Sequence, residues 1–148
     1  MTLFQQAEVI IQLLLAAFLG MIIGLDREAR NEPAGLRTHM LVGVGACLFT
    51  ALSIYAFPGD QSPSRVASNI VVGIGFLGAG TIIRRGAQPH HLTTAASIWA
   101  TAAVGMAVGA GAWFLGLGAS VLTWIILAVI RRWSKGDPSD SSKPRATQ

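Results

Sequence analysis

The chain has 148 residues, of which 52% are hydrophobic and 12% are charged. The charged fraction is about half that of a typical soluble domain, so the composition excludes an ordinary soluble protein and predicts an integral membrane protein. The formal net charge of +4 does not indicate nucleic-acid binding, because the basic residues lie at the ends of apolar runs, as the positive-inside rule describes for membrane proteins.

Five apolar runs predict an all-α polytopic membrane bundle of about five transmembrane helices. The predicted helices cover residues 3–25, 38–57, 64–83, 92–108 and 113–130. No Lys or Arg precedes Glu8 and no A-x-A site closes the first run, so we expect the first helix to be retained rather than cleaved as a signal peptide. The last two runs are joined by the uncharged segment 109–112. We expect a hairpin there, the alternative being one helix longer than a bilayer needs.

The first and fourth predicted helices each carry a ladder of small or polar residues at i, i+4 spacing. The first ladder is Glu8, Gln12, Ala16, Gly20 and Gly24, and the second is Thr93, Ser97, Thr101, Gly105 and Gly109. Each ladder ends in a G-x-x-x-G motif, which lets helix backbones approach closely in a membrane. We therefore expect close helix packing at these positions, either within the chain or in a homodimer.

The third predicted helix is expected to be the central element of the bundle, because segment 69–80 is rich in glycine. Its glycines are Gly73, Gly75, Gly78 and Gly80. At about 100° per residue, Gly73 and Gly80 share a face with Asn69, and the other two glycines lie on a roughly opposite face. This arrangement predicts that neighbouring helices pack closely on both faces.

Arg65 interrupts the charge pattern at the outer end of this helix. It precedes Asn69 by one helical turn, and Glu8 is expected at a similar depth in the first helix. Polar groups inside a membrane are functional candidates, so the sequence predicts a polar contact that joins Arg65, Asn69 and Glu8. The alternative is that the Arg65 side chain extends to water.

A charged segment follows the first helix at the inner edge of the membrane. It contains Asp26, Arg27, Glu28 and Glu32, and Arg37 then opens the second helix. A cation at a helix N-terminus opposes the helix dipole, so Arg37 is predicted to pair with one of these carboxylates. The alternative is a solvated interfacial loop. Because several arginines crowd the same segment, we expect no metal site here.

The remaining reactive side chains do not predict an enzyme. The three histidines, which lack the helical spacing of metal ligands, are His39, His90 and His91. We interpret them as interfacial, with Thr93 or Thr94 available to cap the fourth helix. Cys47 lies in an apolar run and is interpreted as a small buried hydrophobic residue. The sequence contains no catalytic Ser/His/Asp set, P-loop or Cys/His cluster, so we expect neither enzymatic activity nor a cofactor.

The distribution of basic residues predicts the orientation. Eight of them belong to one side of the membrane: Arg27, Arg30, Arg37, Arg84, Arg85, Arg131, Arg132 and Lys135. Arg65 stands alone on the other side. The N-terminus is thus predicted to be periplasmic and the C-terminus cytoplasmic, which requires an odd number of spans. Residues 134–148 are polar and are predicted to be a disordered cytoplasmic tail.

Four motifs in order resemble the MgtC/SapB family of bacterial membrane proteins. They are GMIIGLDRE at 20–28, PAGLRTH at 33–39, GIGFLGAG at 73–80 and LTTAA at 92–96. The resemblance covers nearly all of residues 1–133, which we assign to one transmembrane domain. The first motif departs from the family at Asp26, where glutamate is commoner. Longer members carry a soluble C-terminal domain, and we expect this chain to be a short form without it.

The resemblance implies an inner-membrane protein linked to growth under magnesium limitation and to survival inside macrophages. It also implies a partner in the lipid bilayer, such as the rotary ATP synthase or a sensor kinase. Our first hypothesis is therefore a non-enzymatic regulator of another membrane protein. The second hypothesis is a small ion or solute transporter with a polar path along Arg65, Asn69, Thr93 and Thr94.

Overall fold

The computed structural model of the chain describes residues 1–56, 63–85 and 88–130. The elements within this part are the helices α1 (Leu3–Glu28), α2 (Leu36–Tyr55), α3 (Pro63–Thr81), α4 (Leu92–Gly109) and α5 (Trp113–Ile125), the strands β1 (Ile83–Arg85) and β2 (Gln88–His90), and a π-helical turn at Ile126–Ile130. The all-α bundle of five helices is confirmed. The predicted tail at 134–148 and the basic residues after 130 lie outside the described residues.

Three of the described helices are long and apolar enough to cross a membrane, namely α1, α2 and α4. The fifth helix with its π-helical turn is apolar but shorter. Between α3 and α4, β1 and β2 form a short antiparallel hairpin in which Ile83 pairs with His90. The end of α1, the start of α2 and the start of α4 lie together at one end of the bundle, since Thr94 accepts a hydrogen bond from Arg27 and the Leu36 backbone N–H donates to Glu28. We call this end of the bundle the inner end, after the orientation predicted from the sequence.

Local chemistry explains where α1 begins and where α4 ends. Thr2 caps α1, since its Oγ1 accepts from the Gln5 backbone N–H at 3.2 Å and its own N–H donates to the Gln5 side chain at 2.8 Å. This reciprocal pair satisfies two donors that the helix leaves free. After α4, Gly111 adopts a φ of +78°, a left-handed conformation that glycine reaches without steric cost. The chain reverses there, so the predicted hairpin between the last two helices is confirmed.

The glycines of α1 rest directly on the backbone of α2. A Cβ atom added to Gly20 would lie 2.6 Å from the His39 carbonyl oxygen, and one added to Gly24 would lie 2.7 Å from the Leu36 Cα. Real Cβ atoms do not approach backbone this closely. Hydrogen is thus the only side chain that fits at either position, and the packing is within the chain.

The glycines of α4 approach α2 even more closely. A Cβ atom on Gly105 would collide with the Gly43 carbonyl oxygen, and one on Gly109 would collide with that of Cys47. Cys47 is fully buried in the core, as predicted. Helix α2 is therefore in backbone contact with both α1 and α4, and these three helices supply most of the buried core.

The remaining residues of the two ladders differ in how deeply they are buried in the bundle. The buried ones are Gln12, Ala16, Ser97 and Thr101, whereas Thr93 is exposed and Glu8 is half-buried. Neither amide atom of Gln12 has a hydrogen-bond partner in the described part of the chain. Because an i, i+4 ladder winds slowly around its helix, the middle residues of each ladder face the core and the first residue does not.

The third helix lies at the side of this core, and α4 takes the central position expected for it. Gly78 approaches the Ala95 carbonyl oxygen of α4, at 3.4 Å from an added Cβ. In contrast, no atom of the described residues lies within 4 Å of a Cβ added to Gly73, Gly75 or Gly80. The expectation that neighbours hold both faces of this helix is not met among the described residues. Angular spacing shows which residues share a face, but it cannot show whether a neighbour covers that face.

Candidate functional site

A charged side chain is buried where the inner ends of α1 and α4 meet. Arg27, in the last turn of α1, is 1% exposed. Its Nη2 atom donates to the Thr94 hydroxyl at 3.1 Å and lies 3.1 Å from Glu32 Oε1. The Thr94 hydroxyl in turn donates to Glu32 Oε2 at 3.1 Å. We call these three residues the inner cluster. A buried cation is strongly penalised unless it is paired and hydrogen-bonded, and the inner cluster provides both for Arg27.

Backbone geometry brings Glu32 to this place. The chain leaves α1 through Asn31, which has a φ of +53°, and the Glu32 backbone N–H donates to the Arg27 carbonyl oxygen at 3.1 Å. His91, which precedes α4, is also left-handed, with a φ of +67°. Its Nδ1 atom lies 3.7 Å from Glu32 Oε2. Left-handed backbone is costly for residues other than glycine and is concentrated at functional sites. Two such residues flank the inner cluster.

A second buried polar group lies beside the inner cluster and is centred on His39. This side chain lies in the first turn of α2 and is fully buried inside the bundle. Nδ1 lies 2.8 Å from the Gly35 carbonyl oxygen, and Nε2 lies 3.0 Å from the Ser97 hydroxyl. The Ser97 hydroxyl also lies 2.8 Å from the Thr94 carbonyl oxygen. His39 therefore links α2 to the same turn of α4 that binds Arg27.

The predicted ion pair of Arg37 does not form in the described part of the structure. Arg37 is exposed, and the start of α2 is stabilised by Glu28 instead. Glu28 Oε2 accepts a hydrogen bond from the Leu36 backbone N–H at 2.9 Å. A carboxylate at a helix N-terminus complements both the free N–H groups and the dipole. The dipole argument correctly indicated that negative charge stabilises the start of α2. However, the Glu28 carboxylate binds the helix backbone itself and does not pair with Arg37.

Asp26 pairs with a different arginine from the one predicted. Arg30 Nε lies 2.9 Å from both carboxylate oxygens, and Arg30 Nη2 lies 2.7 Å from Oδ1. The hydrogen bond with Asp26 raises the pKa of Arg30 above its usual value. The side chains of Arg30 and Asp26 are 29% and 11% exposed, and a helical pair one turn apart contributes about 0.3–0.5 kcal/mol to stability.

Removing the Glu28 carboxylate should weaken the start of α2. We expect Glu28→Ala to lower the free energy of unfolding by about 1 kcal/mol, as loss of a helix cap commonly does. The measurement is unfolding in mixed micelles followed by circular dichroism. Glu28→Gln is the matched control, because it keeps an oxygen acceptor and should lose less. Equal stability of the alanine variant and the unmodified protein would contradict this assignment.

The cap predicted for α4 was wrong. His91 occupies the N-cap position, and no side chain caps the helix there. Thr94 is buried in the inner cluster, whereas Thr93 is exposed. The two adjacent threonines point to different environments, and only Thr94 joins the site.

The predicted contact of Arg65, Asn69 and Glu8 is also absent. Arg65 and Asn69 are exposed on α3, and the described residues contain no hydrogen bond or ion pair that joins either side chain to Glu8. Asn69 instead borders an open groove of about 490 Å³ between α2 and α3. The remaining groove lining is apolar and includes Leu41 and Phe49 of α2. The four residues proposed for a polar path are thus not brought together.

Three members of the buried polar groups were not identified as site residues from the sequence. Glu32 was considered only as a partner for Arg37, Ser97 only as a packing residue and His39 only as interfacial. A usable signal was present in α4, where Thr94, Ser97 and Thr101 follow at helical spacing and so share one face. A hydroxyl-bearing face in an apolar helix predicts buried polar contacts with its neighbours.

These features define a polytopic helical membrane protein whose inner end holds a buried, paired arginine. Among the described residues, no group of three or more His, Cys, Asp or Glu side chains could hold a metal ion. The MgtC family model matches residues 13–135. The chain belongs to the MgtC family.

Three relatives illustrate the similarity. The chain is 46% identical over 133 residues to the Escherichia coli K12 protein named "Putative magnesium transporter YhiD", covering 85% of this chain and 62% of that protein. It is 50% identical over 114 residues to "Protein MgtC" of Brucella abortus, covering 77% of this chain and 46% of the relative. "Protein SrpB" of Synechococcus elongatus is 40% identical over 134 residues, covering 82% of this chain and 74% of the relative.

The chain spans about three-fifths of the length of YhiD and about half of the Brucella protein. No solved structure is significantly similar to it. The family assignment therefore rests on sequence, and the geometry of the site comes from this chain alone.

Proposed function

We propose that this chain is a non-enzymatic regulatory protein of the bacterial inner membrane, active in adaptation to low magnesium and, in pathogens, in survival inside host cells. It acts by binding another membrane protein in the open groove between α2 and α3, which Asn69 and Gly73 of α3 line. The observation that carries this proposal is this groove, together with the space that the described residues leave open around Gly73 and Gly80 on the same face of α3.

The chemistry of this face fits a protein partner better than lipid. An amide in hydrocarbon finds no hydrogen-bond partner, so an exposed Asn69 is costly until another polar group meets it. Glycines on the same face allow a second helix to approach closely. A transmembrane helix with one polar side chain at the matching depth would satisfy Asn69 and cover the glycines. The family resemblance suggests the ATP synthase or a membrane sensor kinase as the partner.

A transporter is the second candidate, and the name of the E. coli relative YhiD favours it. Magnesium ions require oxygen ligands and usually one or more carboxylates. The groove between α2 and α3 offers the Asn69 amide within an otherwise apolar lining. The carboxylates of the inner edge are engaged with arginines or a backbone N–H, as Asp26, Glu28 and Glu32 are. Because the groove offers a single amide and these carboxylates are already engaged, the available oxygen ligands favour regulation over transport.

Substitution of Gly73 should separate partner binding from folding. We expect Gly73→Leu to reduce recovery of the partner complex at least tenfold, because leucine fills the space that a second backbone needs, while thermal stability is retained. The measurement is crosslinking in cells from a photoreactive residue on α3, with the ATP synthase and sensor kinases probed by antibody. Gly118→Leu is the matched control, because the described residues leave open space around Gly118 of α5 as well.

Flux measurements test the alternative. Purified protein in liposomes should show no saturable Mg²⁺, K⁺ or proton flux. Saturable flux that is abolished by Asn69→Ala would replace the regulatory proposal with a transporter.

In the crosslinking experiment, equal recovery of the partner complex from Gly73→Leu and Gly118→Leu would show that this face of α3 does not contact the partner.

A further inference from the structure

The hydrogen bonds around His39 leave one proton with two competing acceptors. The Gly35 carbonyl oxygen can only accept, so Nδ1 of His39 must carry a hydrogen and donate at 2.8 Å. In the neutral ring, Nε2 is then an acceptor. In the doubly protonated ring, Nε2 is a donor. The role of Nε2 toward Ser97 therefore depends on the protonation state of the ring.

Ser97 has a single hydroxyl hydrogen, and two acceptors lie within reach of it. These are His39 Nε2 at 3.0 Å and the Thr94 carbonyl oxygen at 2.8 Å. If the ring is neutral, the hydroxyl must donate to Nε2 to satisfy it, and the bond to Thr94 is lost. If the ring is doubly protonated, Nε2 donates to the hydroxyl oxygen, and the hydroxyl donates to Thr94. All three short distances, including that from Nδ1 to the Gly35 carbonyl oxygen, are satisfied together only in the second arrangement.

We propose that His39 is a proton-binding site, and that binding of the proton switches the Ser97 hydroxyl from His39 to the Thr94 backbone. The ligand is a proton, and the two states differ in one rotation of a hydroxyl group. The switch joins α2 to α4 directly. It also reaches the inner cluster, because the Thr94 side chain is the group that binds Arg27 and Glu32.

The surroundings of His39 include groups that disfavour a second proton and groups that favour it. Burial disfavours the charged ring, whereas two hydrogen-bond acceptors, the Gly35 carbonyl oxygen and the Ser97 hydroxyl oxygen, favour it. From α1, Arg27 would repel a second positive charge, but it is paired with Glu32 of the α1–α2 connection at 3.1 Å. His91 lies against Glu32 rather than against His39. From α4, the neighbours of the ring are the Ser97 hydroxyl and the Thr94 backbone, neither of which carries charge.

Nitrogen-15 NMR of histidine-labelled protein in lipid nanodiscs tests the proposal between pH 8 and pH 5. The chain has three histidines, so single His90→Gln and His91→Gln variants assign the His39 signals by elimination. We expect a change from one protonated nitrogen to two as the pH falls. A His39 ring that stays neutral over the whole range, or that is doubly protonated throughout, would overturn the proposal.

Substitution of Ser97 gives a readout that a purely structural role would not change. Ser97→Ala removes the acceptor of the Nε2–H group, and we expect proton binding by His39 to weaken about tenfold, as loss of a hydrogen bond to a charged group predicts. Thr101→Val is the matched control, because its buried hydroxyl donates to the Ser97 carbonyl and is not bonded to His39. Equal titration of His39 in the two variants would overturn the proposal. Should Ser97→Ala fail to fold, the titration of the unmodified protein still decides.

Discussion

Arg27→Gln is expected to lower the free energy of unfolding by about 3 kcal/mol or more, because removal of one partner from a buried ion pair leaves the other charge uncompensated. Arg27 is 1% exposed, and its partner carboxylate on Glu32 is 18% exposed. Glutamine can still reach a hydroxyl group, but it carries no charge to neutralise Glu32. The loss should therefore exceed that of an ordinary hydrogen bond. Unfolding in micelles titrated with denaturing detergent measures it.

A double-mutant cycle separates the ion pair from general damage. Glu32→Gln alone should also destabilise the bundle, since Arg27 then becomes the unpaired charge. The double variant should lose less than the sum of the single losses by at least about 1 kcal/mol. Arg37→Gln is the surface control, because Arg37 is exposed. Additive losses, or a loss for Arg37→Gln as large as that for Arg27→Gln, would show that the inner cluster does not hold the bundle together.

Gly105→Ala is expected to cause the second large loss, of about 2–3 kcal/mol. One methyl group would collide with the Gly43 carbonyl oxygen of α2 and would lie 3.1 Å from the Ala46 Cβ. Neither atom belongs to a flexible side chain, so relief requires the two helices to separate. Separation of the helices here would also disturb the contact between Gly109, one turn away, and the Cys47 backbone. The loss of stability is therefore caused by overpacking and not by the loss of a favourable interaction.

Gly118→Ala provides the comparison for this effect. No atom of the described residues lies within 4 Å of a Cβ added to Gly118 in α5, and alanine is the better helix former by up to about 1 kcal/mol. We expect this variant to be as stable as the unmodified protein or slightly more stable. Detergent-induced unfolding followed by circular dichroism compares the two alanine variants directly. Similar behaviour of both variants would show that α2 and α4 are not in backbone contact.

The helices and their ends could be predicted from the sequence because their signals are local. The length of an apolar run, a proline or a glycine at a turn and a ladder at i, i+4 spacing each depend on a few neighbouring residues. The hairpin at Gly111 and the glycine faces of α1 and α4 follow from such signals. The sequence resemblance was equally local, since it depended on four short motifs.

Which charged side chains pair with each other could not be predicted, because the pairing depends on the backbone conformation of the loops. Arg27 and Arg37 lie ten residues apart at the same edge of the membrane, and a dipole argument favoured Arg37 as the paired one. The left-handed backbone at Asn31 turns Glu32 back toward Arg27 instead. Similarly, nothing in the spacing of Gly73 and Gly80 indicates that the described residues leave this face uncovered. Periodicity gives the direction of a side chain, but not what it meets.

The backbone contacts of α4 have a consequence for the order of assembly during synthesis. Helices α1 and α2 enter the membrane first and can pack at once through Gly20 and Gly24. The surface of α2 that receives α4, at the Gly43 and Cys47 carbonyls, must then wait until α3 and the β-hairpin have been made. A nascent chain therefore passes through a two-helix stage in which the α4-binding surface of α2 is uncovered. If synthesis stopped before residue 109, the truncated chain would leave this surface exposed to helices of other proteins.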